Sequence, residues 1–375
     1  MIAPVRLTLA LGLVGFAALA VFRVPHGALW KPAVIATEWG HLLAALALAL
    51  VVPWDRGRAD VASWLAGASA LALLSPTLRA IPVALGVDAR LSAAIGEPPR
   101  SGSPLGIPGL GRTPKPVVVR TLSLPAADAH TALPVQFYPS AQPNAPLVVA
   151  IHGGSWNSGE PSQLPEIYQQ LAGQGWAVAA VTYRFAPAFR HPTQSDDIAA
   201  LIAGLKERAP ELGVDASRLA LYGRSAGGQL ALLHAAKARD PAIKAVIAAY
   251  PVTDFVWSWD HPTNPRVVDS FATITDYLGR RREADPDRAV FRDASPIFQV
   301  STDMPPTLLG HGGRDELVFF EQTQRFDARL SELGVPHLLL GLPWATHGFD
   351  ANLTGPGGQL WSWSVERWLR RWLPV

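Results

Sequence analysis

The chain has 375 residues, about half of them apolar, which is enough for one large domain plus an accessory segment and excludes a disordered polymer. A formal net charge of +2, with arginines scattered singly or in short groups, leaves no basic stripe for nucleic acid. The absence of cysteine excludes disulfides, thiolate catalysis and cysteine-ligated metal, and it fits either redox compartment.

Three charge-free apolar runs come first, at 7–22, 39–54 and 61–78. At about 1.5 Å per residue each falls slightly short of a roughly 30 Å hydrocarbon core, yet three runs in so short a stretch, with tryptophans at their ends, predict membrane spans rather than buried core helices. The first run also has the form of a cleavable signal peptide, with Arg6, an apolar stretch and "ALA" ending at Ala20. Either choice leaves the remainder of the chain outside if the N-terminus starts in the cytoplasm. Basic residues do not decide the matter: Arg6, Arg56 and Arg58 on one side face Arg23, Lys31, Arg79 and Arg90 on the other. The expectation is a bacterial inner-membrane protein with its larger part facing outward and the bilayer as a partner; alanine- and arginine-rich composition points to a GC-rich bacterial genome.

Residues 96–116, "GEPPRSGSPLGIPGLGRTPKP", are too rich in proline and glycine for helix or sheet and read as a linker between an N-terminal membrane segment, 1–95, and a C-terminal domain, 117–375. From there short apolar runs alternate with helical stretches. "VVVRTLSL", "PVQFYP", "PLVVAIHGG", "WAVAAVTYRF", "RLALYG", "IKAVIAAYPV", "PTLLGHGG" and "HLLLGLPW" predict strands; 162–173, 193–208, 225–238, 320–333 and 358–372 predict helices. Near-continuous apolar strands between helices imply an α/β fold, a mainly parallel sheet covered on both faces. Residues 255–290 break the alternation and read as an insertion above the sheet.

"LALYGRSAGGQLALLHAAKA" sets Gly223, Ser225 and Gly227 in G-x-S-x-G spacing between a predicted strand and helix, so Ser225 is the candidate nucleophile. A serine hydroxyl needs a base and a carboxylate to orient that base. Asp315 follows the strand "PTLLGHGG" and His347 follows "HLLLGLPW", and chemistry gathers at the carboxyl ends of parallel strands. Asp350 is the rival acid but lacks a strand-end position. In "HGGSW", main-chain amides of Gly153 and Gly154, with that of Ala226, are candidate donors to an oxyanion. Trp156, Trp257 and Trp259 are candidates for the substrate-pocket wall. His152 and His311 are expected to brace their own loops, and no His/Asp/Glu cluster has metal-ligand spacing, so neither metal nor other cofactor is expected.

Taken in order, "HGGSW", "VTYRFAP", "GRSAGG", "HGGRDELV" and "HGF" resemble the motifs of α/β-hydrolases of the esterase/lipase type related to hormone-sensitive lipase. The H-G-G-x-W form is similar to that of kynurenine formamidases, feruloyl and acetyl esterases and isoprenylcysteine methylesterases. The resemblance covers about residue 117 to the end and implies a Ser225, Asp315, His347 triad acting on a small-molecule or lipid ester through an acyl-enzyme. Ser155 stands where the H-G-G-G form has a third glycine, and the linker stands where many relatives carry a helical cap. The alternatives at this stage are an amidase, formamidase or serine peptidase, an acyltransferase, and a hydrolase-like binding module without activity.

Overall fold

The computed structural model describes residues 2–52, 59–98, 102–106 and 116–375. Trp54, Arg56, Arg58 and most of the linker lie outside the described residues. An N-terminal group of helices, α1 (Ile2–Val21), α2 (Trp30–Glu38), α3 (Gly40–Ala49) and α4 (Val61–Ile95), precedes the sheet. The strands are β1 (Arg120–Pro125), β2 (Ala132–Tyr138), β3 (Ala145–Ile151), β4 (Ala177–Val181), β5 (Val214–Arg224), β6 (Ile243–Ala249), β7 (Thr307–Gly312) and β8 (His337–Leu342). Between and after them come α5 (Glu166–Gly173), α6 (Thr193–Glu207), α7 (Ala209–Leu212), α8 (Ala226–Ala238), α9 (Phe255–Asp260), α10 (Ser270–Leu278), α11 (Ala289–Ala294), α12 (Pro296–Gln299), α13 (Phe320–Glu332) and α14 (Pro356–Trp372).

The eight strands form one sheet in the order β1-β2-β4-β3-β5-β6-β7-β8, with β2 antiparallel to its neighbours and the six strands from β4 to β8 parallel. Both faces are covered, which is why β3 and β4 are apolar at every position: Leu147 and Val149 face one core, with Ile198 of α6, Leu230 of α8 and Phe326 of α13, while Val148 and Ala150 face the other, with Ile167 of α5 and Leu360 of α14. In register, Ile151 meets Gly223, Gly223 meets Ala248, and Gly312 meets Leu342. The carboxyl ends of β3, β5, β6, β7 and β8 therefore share one edge.

The third apolar run does not stop at 78. α4 continues to Ile95 through Pro76 and Pro82, since each proline removes a single intrahelical bond while the turns on either side hold. Its first half packs with α1 and α3 around small residues, Ala17, Ala44, Ala66 and Ala70. Its second half puts Val87, Leu91 and Ile95 into the same core as Trp361 and Trp368 of α14, and Arg367 pairs with Asp88. By length and composition α1 and α4 are each able to cross a membrane, and a third span exists if α2 and α3, bent by 77°, count as one.

Candidate active site

Ser225 lies between β5 and α8 with φ 52° and ψ −120°, a strained conformation that aims a side chain out of a tight turn. The flanking glycines are steric necessities: a Cβ on Gly223 would come within 2.2 Å of the Gly227 carbonyl oxygen, and one on Gly227 within 2.2 Å of that of Ile151. Ser225 N–H donates to Ala249 O at 2.9 Å, which ties the turn to β6.

The acid and base candidates meet. His347 Nδ1 lies 2.7 Å from Asp315 Oδ2, and because a carboxylate only accepts, the proton belongs on Nδ1 and Nε2 is left free as a base. Asp315 is buried, and burial alone would raise its pKa; contact with His347 and with His311, whose Nε2 is 3.3 Å away, outweighs this and holds the carboxyl well below the usual range. Its Oδ1 accepts from the amides of Leu317 and Val318, each at 2.9 Å. Asp350 takes no part in this contact. It is buried against Arg224, with Tyr250 OH donating to it at 2.5 Å, and so serves as the counter-ion of the residue just before Ser225. His311 braces its loop by bonding to Thr323 and Val318. His152 does likewise, bonding to Thr182 and the Gly153 carbonyl; burial pushes its pKa down to about 4.

Ser225, His347, Gly153, Gly154, Trp156 and Trp257 line one cavity of about 690 Å³. Among the described residues no hydrogen bond joins the side chains of Ser225 and His347, though both line its wall. The paired glycines are explained by space: Gly154 has φ 122°, and a Cβ there would come within 2.1 Å of Ser158 O. One expected donor is corrected. Gly153 N–H is occupied by Gln163 Oε1 at 3.1 Å, whereas Gly154, Ser155 and Ala226 have no amide partner among the described residues. Ser155, at φ 52°, is thus a donor candidate that the glycine pattern concealed.

The tryptophans divide. Trp257 is half-buried on the cavity wall, stacked on His261. Trp156 reaches the wall but is 3 % exposed, stacks on Tyr277 at 4.3 Å, and its indole N–H is held by Gln229 at 2.9 Å. Trp259 does not line the cavity. It packs on Phe271 and Phe291, where the helices of the insertion join the core on one face of the sheet.

Trp30 and Glu38 of α2 carried no sequence signal for the site. Trp30 Nε1 donates to His347 O at 2.7 Å, and Trp30, Val34 and Ile35 form part of the cavity wall. Glu38 is fully buried, and one of its carboxyl oxygens accepts from Gly357 N–H at 2.9 Å at the start of α14, satisfying a donor that the helix leaves unpaired. Asn352, in a glycosylation-like "NLT", is buried and donates to Glu38 O. In this chain α2 occupies the place over the cavity that the sequence left without a cap.

The parallel sheet, the strained serine turn and the acid and histidine loops on one edge define an α/β-hydrolase of the esterase type. A model of the BD-FAE family matches residues 133–330, and the chain belongs to that family. It is similar to esterase LipC of Mycobacterium tuberculosis, 34% identical over 232 residues, a match covering 56% of this chain and 56% of LipC. It is also similar to the arylesterase of Saccharolobus solfataricus, 34% identical over 248 residues, covering 63% of this chain and 79% of that one. Among solved structures, the bacterial heroin esterase superposes with a TM-score of 0.60 at 26% identity, covering 78% of this chain and 91% of that chain. The chain spans about half the length of LipC, LipM and LipQ, the curated relatives it matches at 56%, 50% and 52% of their lengths.

Proposed function

We propose that the chain is a membrane-anchored serine hydrolase that cleaves carboxylic esters through an acyl-enzyme on Ser225. The observation that carries this is the 2.7 Å contact of buried Asp315 with His347, which lines the same cavity as Ser225. His347 Nε2 takes the Ser225 proton as Oγ forms a bond to the ester carbonyl carbon. The amides of Gly154, Ser155 and Ala226 receive the resulting oxyanion; fixed donors of this kind contribute about 3 to 4 kcal/mol each. The C–O bond then breaks, and the alcohol leaves with the proton held by His347. Water attacks the acyl group, His347 takes its proton and returns it to Ser225, and the carboxylic acid departs. Asp315 keeps the imidazole in one tautomer throughout and is not itself protonated.

Residues 1–95 act as the anchor, 96–116 as the linker, and 117–375 as the catalytic domain on the outer face of the membrane. Support for the anchor comes from the outward-facing leucines of the bundle, Leu7, Leu11, Leu42 and Leu71 among them. The test uses the full chain in detergent, because burial of each large side chain such as Val87 and Leu91 stabilises by about 1.5 to 3 kcal/mol and α4 cannot be removed without loss. Hydrolysis of p-nitrophenyl acetate and labelling by a fluorophosphonate are expected to vanish together in Ser225→Ala, and Asp315→Asn is expected to lower kcat about 10⁴-fold. Labelling of the wild type without ester turnover sinks ester hydrolysis and favours amide cleavage or acyl transfer. An unlabelled wild type leaves only a binding module.

A further inference from the structure

The N-terminal bundle does not hang from the catalytic domain at a distance; it ends on the catalytic loops. Arg314, the residue before Asp315, donates to the last carbonyls of α1, to Ala20 O at 2.6 Å and Leu19 O at 2.9 Å, and also to Phe22 O. Arg79, where α4 leaves the bundle, donates to Pro343 O at 3.0 Å, four residues before His347. The third junction is Glu38, inserted at the start of α14 just before α3 begins. Opposite these junctions, Arg6 is buried against Asp60, Ser63 and Leu50 O, and it marks the far end of the bundle. From Arg6 to Phe22 is about 24 Å at roughly 1.5 Å per residue, close to the thickness of a thinned hydrocarbon layer. On the membrane-anchor reading the domain end of the bundle would be the membrane surface, with the edge of the sheet bearing Ser225, Asp315 and His347 against it.

α2 runs along that surface between α1 and α3. One side of it gives Trp30, Val34 and Ile35 to the catalytic cavity. Its other side, Leu29 and Pro32, lines an apolar groove completed by Phe16, Leu19 and Phe22 of the first helix and the residue after it. Across the cavity the insertion and the acid loop add Val268, Ile274, Leu317 and Phe319. Trp30 and Lys31 open α2, Trp39 caps its end and Arg23 precedes it, the residue types that sit at headgroup level. Groove and cavity thus lie on the two sides of α2, with only the width of that helix between them.

On the serine-hydrolase and membrane-anchor readings above, we propose that the cavity is loaded sideways from the bilayer, and that the substrate class is a long-chain acyl ester resident in the membrane, its chain lying along α2. The full chain is reconstituted in vesicles of ether-linked phosphatidylcholine, which carries no acyl ester, with dioleoylglycerol as the probe. Oleate release is expected to follow the mole fraction of dioleoylglycerol in the shared vesicle and to be at least tenfold slower when the same amount is supplied in separate, protein-free vesicles. Equal rates from the two arrangements, or no oleate release while p-nitrophenyl acetate is turned over, overturn the inference. Loss of acetate turnover as well sinks the hydrolase reading and takes the inference with it. In Val34→Trp, the ratio of oleate release to acetate turnover is expected to fall at least tenfold; an unchanged ratio overturns the role of α2.

Discussion

The bundle and the sheet domain bury opposite kinds of residue. In α1, α3 and the first half of α4 the inside is mostly alanine, with Ala10, Ala17, Ala44, Ala47, Ala66 and Ala70 buried beside Leu13, Leu50 and Leu73, while Leu9, Leu11, Leu46, Leu48 and Leu71 point outward. In the sheet domain the inside holds Trp176, Trp344, Trp361 and Trp368, the largest side chains available. Water drives large apolar groups inward, whereas a hydrocarbon solvent gives leucine no reason to hide and rewards close backbone approach through small residues. If the anchor proposal holds, the two halves of α4 obey the two rules in one helix, with the change falling near Arg79.

The comparison is broken most severely through the sheet domain's buried charge. Asp350→Ala strands the Arg224 guanidinium without its counter-ion, and the expected loss is about 3 to 5 kcal/mol, read from a denaturant midpoint. If the loss is below about 1 kcal/mol, Arg224 has another partner and the domain does not depend on that pair. Leu71→Arg tests the bundle. It is expected to cost about 2.5 to 3.5 kcal/mol in vesicles. A loss below about 0.5 kcal/mol, as for an ordinary water-exposed site, would show that this helix face does not meet lipid. The smallest effect concerns pH. His152 and His234 have pKa values pushed down to about 4 by burial, so the unfolded chain takes up protons near pH 6.5 that the folded chain refuses. Their contribution is fully present above about pH 6.5 and is lost as pH falls toward 4, by up to about 3 kcal/mol for each histidine. Thermal melts across that window are expected to flatten in His152→Asn, and an unaltered slope would remove His152 from the account.

Much of this was legible in the sequence because it is local. Strand runs, G-x-S-x-G, and a carboxylate and an imidazole each just past a strand end carry their signal within a few residues, and the parallel sheet brings those ends together. What escaped was long-range. Trp30 meets His347 and Glu38 meets Gly357 more than 300 positions along the chain, and nothing beside either residue announces the partner. The occupation of Gly153 N–H by Gln163 depends on how a loop folds back, and Trp259 reads as pocket wall because a tryptophan that packs into the core cannot be told from one on a binding surface by composition. Arg224 is hidden for another reason: it occupies the variable position of the serine motif, where the pattern asks nothing of the side chain.

Arg314 connects maturation of the chain to its chemistry. Its guanidinium is 8 % exposed and uses the carbonyls at the end of the first helix as acceptors, one of them belonging to Ala20, the very residue after which a signal peptidase would cut. A processed chain would lose those acceptors beside Asp315, so trimmed and untrimmed forms would differ at the acid loop as well as in their hold on lipid.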